Sequence, residues 1–117
     1  MKHFIWIAFL GTTLLTAQKL DRTRILTNEG DQIKFSEYYE NGQLAQTGYL
    51  YQGKNHGTWI SFDQQGNKLS EGIYHMGKKV NRWFFWNQDA LLEVEYKNNV
   101  IERAVKWDNG SDILASQ

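Results

Sequence analysis

The sequence predicts an all-β protein, an antiparallel meander of repeated β-hairpins, and three observations carry the prediction. Gly48, Gly53, Lys54 and Trp59 recur as Gly72, Gly77, Lys78 and Trp83, each 24 residues further on, and Tyr38-x3-Gly42 recurs as Phe62-x3-Gly66 at the same offset. A period of that length holds two strands and marks a repeat architecture. Apolar and polar residues alternate inside the units, as in Ile33-Lys34-Phe35, which is the half-buried strand pattern. After residue 17, every stretch with helical apolar spacing contains a turn signal, so little helix is expected.

Residues 1–17 read as a secretory signal. Lys2 and His3 form a short polar start, and the apolar run from Phe4 to Leu15 is broken only by Gly11, Thr12 and Thr13. Small Ala17 precedes Gln18, although Leu15, three residues before that cut, is larger than usual. The run is shorter than the roughly 20 apolar residues of a transmembrane helix. Cleavage near Ala17 would give a secreted or periplasmic protein.

Removing this segment takes away Lys2 and leaves 12 basic against 13 acidic side chains. That balance offers no electrostatic case for nucleic acid. Cysteine is absent, so packing alone must hold an exported chain that disulfides often brace. All the aromatic residues except Phe4, Trp6 and Phe9 remain, and they are the expected core.

Residues 18–32 read as a leader and first turn, with a single apolar pair at Ile25-Leu26 and a turn cluster at Asn28-Glu29-Gly30-Asp31 that marks a first hairpin. Residues 33–117 form the repeat domain. Asn41-Gly42 signals a type I′ hairpin turn, and residues 44–51 supply the return strand. Trp59-Ile60-Ser61-Phe62, the turn through Gly66 and the return to Tyr74 repeat the arrangement. Trp83-Phe84-Phe85-Trp86 opens a third copy whose turn, Asn87-Gln88-Asp89-Ala90, has no glycine and which runs two residues short. Val105-Lys106-Trp107 reads as the start of a fourth copy and as the C-terminal edge strand. With no proline in the chain, edge protection falls to lysine and glutamate on the outer strands.

Gly48 and Gly72 fall inside return strands, where glycine weakens a strand unless something approaches the backbone closely. An aromatic ring from the neighbouring strand is the expected occupant, and Trp59 and Trp83 should lie along one row. Gly53, Gly57 and Gly77 are expected at turns with positive φ.

Residues 39–44 (Tyr-Glu-Asn-Gly-Gln-Leu), 48–59 (Gly-Tyr-Leu-Tyr-Gln-Gly-Lys-Asn-His-Gly-Thr-Trp) and 72–78 (Gly-Ile-Tyr-His-Met-Gly-Lys) resemble the bacterial variant of the MORN repeat. The resemblance covers about residues 35–107 and extends to the small exported MORN-variant proteins of Bacteroidetes-type bacteria. The third unit departs from the pattern, with Asn81, Ala90 and Asn99 where glycine is usual. The resemblance implies an elongated run of hairpins used for association with other molecules. Some such relatives are antitoxins of toxin–antitoxin pairs, a role tied to no transferable catalytic motif.

No catalytic, cofactor or metal site is expected. The mature chain has only His56 and His75 and no thiolate, and the two histidines are read as solvated loop residues. Glu93 and Glu95 share a strand face, with Asp63, Glu71 and Glu102 within conceivable reach, but paired-carboxylate chemistry needs a cleft that a narrow meander does not offer. Ser36, Ser61 and Ser70 lack a histidine base. A nucleotidyltransferase of the nicotinate-nucleotide adenylyltransferase type would need His-x-Gly-His, and Asn55-His56-Gly57-Thr58 lacks the second histidine. Lys78, Lys79 and Arg82 beside the aromatic run, together with Trp107, are the candidate binding residues.

The favoured function is therefore a non-enzymatic module that binds another protein through a sheet face or edge strand. The competing reading is carbohydrate or lipid contact in the cell envelope, with exposed rings stacking on sugars. The test between them is whether Trp59, Trp83 and Tyr74 are buried.

Overall fold

The computed structural model describes residues 22–108 and 111–113. The expected signal segment with its cleavage site and the Asn109-Gly110 turn lie outside them. Nine strands form one antiparallel sheet whose spatial order is the chain order. They are β1 (Thr23–Glu29), β2 (Gln32–Tyr38), β3 (Leu44–Tyr51), β4 (Lys54–Phe62), β5 (Lys68–His75), β6 (Lys78–Trp86), β7 (Ala90–Lys97), β8 (Val100–Asp108) and β9 (Ser111–Ile113). The sheet is a single layer, and the described residues contain no helix.

From β2 onward two kinds of turn alternate along the meander. At one end Gln52-Gly53 (φ 52° and 77°), Met76-Gly77 (48° and 87°) and Asn98-Asn99 (50° and 73°) join strands through two left-handed residues, the type I′ geometry that matches strand twist. At the other end the loops are longer. Tyr39 N–H donates to Gln43 O at 2.8 Å while Gly42 N–H donates to Tyr39 O at 2.9 Å, and Asp63, Asn67 and Gly66 repeat this. Asn41-Gly42 is thus not the expected type I′ turn: only Gly42 has positive φ, and the loop is a wider one closed by both bonds. Tyr39 Oη also donates to Phe62 O at 2.6 Å, tying successive loops together.

Within the described part of the stretch read as a leader, Thr23–Glu29 is a strand. All seven β1 residues pair with β2 across the Gly30-Asp31 turn, yet every one of them is exposed. With no buried face there is no alternation for the sequence to display, and backbone pairing alone makes the element. Of the expected lysine and glutamate protection, β1 carries Glu29 but no lysine.

Register explains the repeat length. Gly48 faces the three residues Gly57 to Trp59, since Thr47 pairs Ile60 and Tyr49 pairs His56. Gly72 faces Asn81 to Trp83 in the same way. Ala45 and Leu69 are single bulge residues beside the long loops. The β6–β7 pair has no such bulge, and its loop closes from Asn87 N–H to Ala90 O, one residue sooner than its predecessors. Those two losses are the two residues by which the third unit runs short.

Val105 to Trp107 lies in β8, which pairs β7 from Val100 to Asp108 as the incoming strand of a fourth unit. It is not the C-terminal edge that was expected, because β9 covers Lys106 to Asp108.

Candidate functional site

Cross-strand pairs put Leu26, Phe35, Gly48, Trp59, Gly72, Trp83, Val94 and Ala104 in one row on one face of the sheet. Trp59 and Trp83 thus do lie along one row, and both are buried, at 7% and 4% exposure. Each indole lies across the glycine of the preceding strand, so that a Cβ at Gly48 would fall within the Trp59 ring and one at Gly72 within the Trp83 ring. The glycines are there for space, because neither has positive φ. The three-residue bulge carries each ring over, and the indole N–H then donates to Tyr49 O and Ile73 O respectively, both at 3.0 Å. Burying a ring while satisfying its N–H is the arrangement tryptophan requires. Tyr74 stands edge-on between the two rings, 6.1 Å from Trp59 and 5.0 Å from Trp83.

The remaining repeat glycines have mechanical places. Gly42 and Gly66 close the long loops, and Gly53 and Gly77 close the type I′ turns. Gly57 has φ 77° but lies in β4 at the bulge rather than in a turn, and Asn81 takes the same left-handed backbone at φ 62° in the next unit.

The basic cluster does not converge. Lys79 lies on the aromatic face, with Nζ 5.9, 5.5 and 5.6 Å from the ring centroids of Tyr74, Trp83 and Tyr96, within cation–π range. Arg82 pairs with Glu93 at 3.5 Å, and alternation along β6 puts it on the opposite face. Lys78 sits opposite His75 and is exposed. Trp107 is 37% exposed and donates its indole N–H to Glu93 at 3.2 Å.

His56 and His75 are not loop residues. They face one another from β4 and β5 with ring centroids 5.2 Å apart, and His56 Nδ1 accepts the Met76 N–H at 3.2 Å. Among the described residues, no group of three His, Cys, Asp or Glu side chains is placed to hold a metal ion.

One buried charge escaped sequence reasoning. Glu37 is 3% exposed and accepts from Arg24 Nε at 2.9 Å, Arg22 at 3.2 Å and Gln46 Nε2 at 3.1 Å. Burial pushes its pKa up, but the bonds from Arg24, Gln46 and Arg22 together outweigh that and hold the carboxyl below its ordinary value. Asp63 is held low as well, first by the Asn67 backbone N–H and then, against a small opposing effect of desolvation, by the Asn67 side chain and the Gln65 N–H. The available signal for Glu37 was symmetry about Gly30-Asp31, which puts Arg24 opposite Glu37.

The long-loop end of the sheet carries a shallow groove of about 670 Å³, lined by Asp63, Gln65, Asn67, Lys68, Trp86 and Gln88 among others. Trp86 is half-buried and stacks on Phe84 at 6.0 Å. No protein-family model, no curated protein and no solved structure matches this chain.

Proposed function

We propose that the chain is an exported MORN-variant repeat protein that acts as a non-enzymatic interaction module and captures an extended segment of a partner protein along β1. The observation that carries this reading is the state of that edge: seven consecutive exposed residues, Ile25 at 49% and Leu26 at 59% among them, with no described strand on the outer side. An open edge that carries Thr23, Ile25 and Thr27 alongside Arg24 and Glu29 still presents unpaired backbone groups, a template for strand addition. The opposite end is better guarded, with Glu102, Arg103 and Lys106 on β8 and β9 over its last three residues. Burial of Trp59 and Trp83 removes them as sugar-stacking platforms, whereas Tyr74, the third residue of that test, is only half-buried.

The test is partner capture from the native cell envelope with three baits. Ile25→Lys/Thr27→Lys puts charge on the edge and should abolish capture, whereas His56→Ala/His75→Ala/Glu95→Ala should capture as well as the parent. Loss of capture in the triple variant with its fold intact would replace the edge by a side-chain site. Export is tested separately, by an intact mass that begins at Gln18 in material secreted from the native host.

A further inference from the structure

The groove at the long-loop end is used neither by the packing of the sheet nor by the β1 edge. Its tryptophan differs from the others. Trp59, Trp83 and Trp107 all donate their indole N–H within the chain, while Trp86 N–H meets no acceptor among the described residues. One side of the ring is backed by Phe84, and Lys68 Nζ borders it at 5.6 Å, near the outer limit of a cation–π contact. The side-chain amides of Gln65 and Gln88 also have no partner among the described residues. A flat ring with a free donor and two free amides therefore share one concavity.

We propose that this groove binds a neutral oligosaccharide, stacked on Trp86 and hydrogen-bonded by Gln65, Gln88 and Asn67. A pyranose ring presents an apolar C–H face and a rim of hydroxyls that each donate and accept. The indole matches the first, and amides, which carry both donors and acceptors, match the second. The charges present argue against an anionic ligand. Lys68 is neutralised by Glu71 at 2.7 Å, and Asp63 adds a carboxylate to the lining, so no uncommitted cation is left for a phosphate. The groove lies at the loops, away from the outer side of β1, and the proposal does not rest on the edge reading.

The experiment follows the indole N–H resonances in nitrogen–proton correlation spectra, with Trp86 assigned by its loss in Trp86→Phe. Cellotetraose, chitotetraose and maltotetraose are each titrated into the millimolar range. The expected result is a saturable shift of Trp86 with at least one of them while Trp59 and Trp83 stay in place. Gln65→Ala/Gln88→Ala should weaken that binding about tenfold, the loss of two neutral hydrogen bonds, with thermal unfolding unchanged. Three results would each overturn the proposal: no saturable shift with any of the three sugars, equal shifts at the buried tryptophans, or full affinity in the double-amide variant.

Discussion

From β3 to β6 a glycine faces three residues and a tryptophan lies over it, twice; between β7 and β8 neither half of that couple exists. Val94 stands where Gly48 and Gly72 stand, and Ala104 where Trp59 and Trp83 stand. Register establishes the equivalence. Ile60 and Phe84, which follow the tryptophans, pair with Thr47 and Glu71, just before the glycines, and Val105, which follows Ala104, pairs with Glu93, just before Val94. On this face bulk has moved from the incoming strand to the return strand, where Val94 is 3% exposed. Among the described residues nothing packs on this layer from above, so each unit must cover its own backbone. A ring carried across by a bulge does this in two units, and the buried side chain of Val94 does it in the third.

The largest effect that separates the two regions is truncation of the rings. Trp59→Ala and Trp83→Ala should each cost about 3–5 kcal/mol, measured by urea unfolding, whereas Ala104→Gly should cost only about 1 kcal/mol, the strand penalty of glycine. A loss below about 1 kcal/mol at either tryptophan would make that ring a surface feature.

Next in size is the left-handed bulge residue. Asn81→Gly copies Gly57 and should leave stability within about 0.5 kcal/mol, while Asn81→Val forces a β-branched residue to φ 62° and should cost about 1–2 kcal/mol. Equal stability of the two variants would mean that the bulge does not survive in solution.

At the first hairpin, Glu37→Gln should cost about 1 kcal/mol. The charge-assisted bonds are worth more in isolation, but Arg22 and Arg24 are 49% and 69% exposed and solvent screens them. Because the folded-state pKa is lowered, the ionised carboxylate contributes in full above the unfolded value of about 4.3. That contribution fades as pH falls from there through the folded value. Unfolding from pH 7 down to pH 3 should therefore show parent and variant converging at the acid end. A constant gap would assign the difference to packing.

The hairpin meander, the 24-residue offset and the fit of rings to Gly48 and Gly72 were legible because they depend on local alternation and on glycine inside strands. What sequence missed has physical causes. β1 is exposed on every residue and so has no periodicity to read. Trp107 follows Trp83 by 24 residues, but the third unit loses one residue at its loop and one at the missing β6–β7 bulge, and the β7–β8 bulge holds one extra residue instead of two. The accumulated shift of three positions is odd, and an odd shift moves a side chain to the other face of the sheet. Trp107 therefore bonds Glu93 across from the tryptophan row instead of joining it. The groove around Trp86 depends on two loops being brought side by side, which spacing alone does not encode.

The claim that Gly72 is glycine because Trp83 occupies its Cβ space is tested most directly by a double-mutant cycle. Gly72→Ala in the parent should cost at least about 1–3 kcal/mol, the range for forcing atoms into a filled site. In the Trp83→Ala background, where the ring is gone, the same substitution should be neutral or slightly stabilising, giving a coupling of about 1–3 kcal/mol. Equal cost of Gly72→Ala in both backgrounds would show that glycine is needed there for some reason other than the ring.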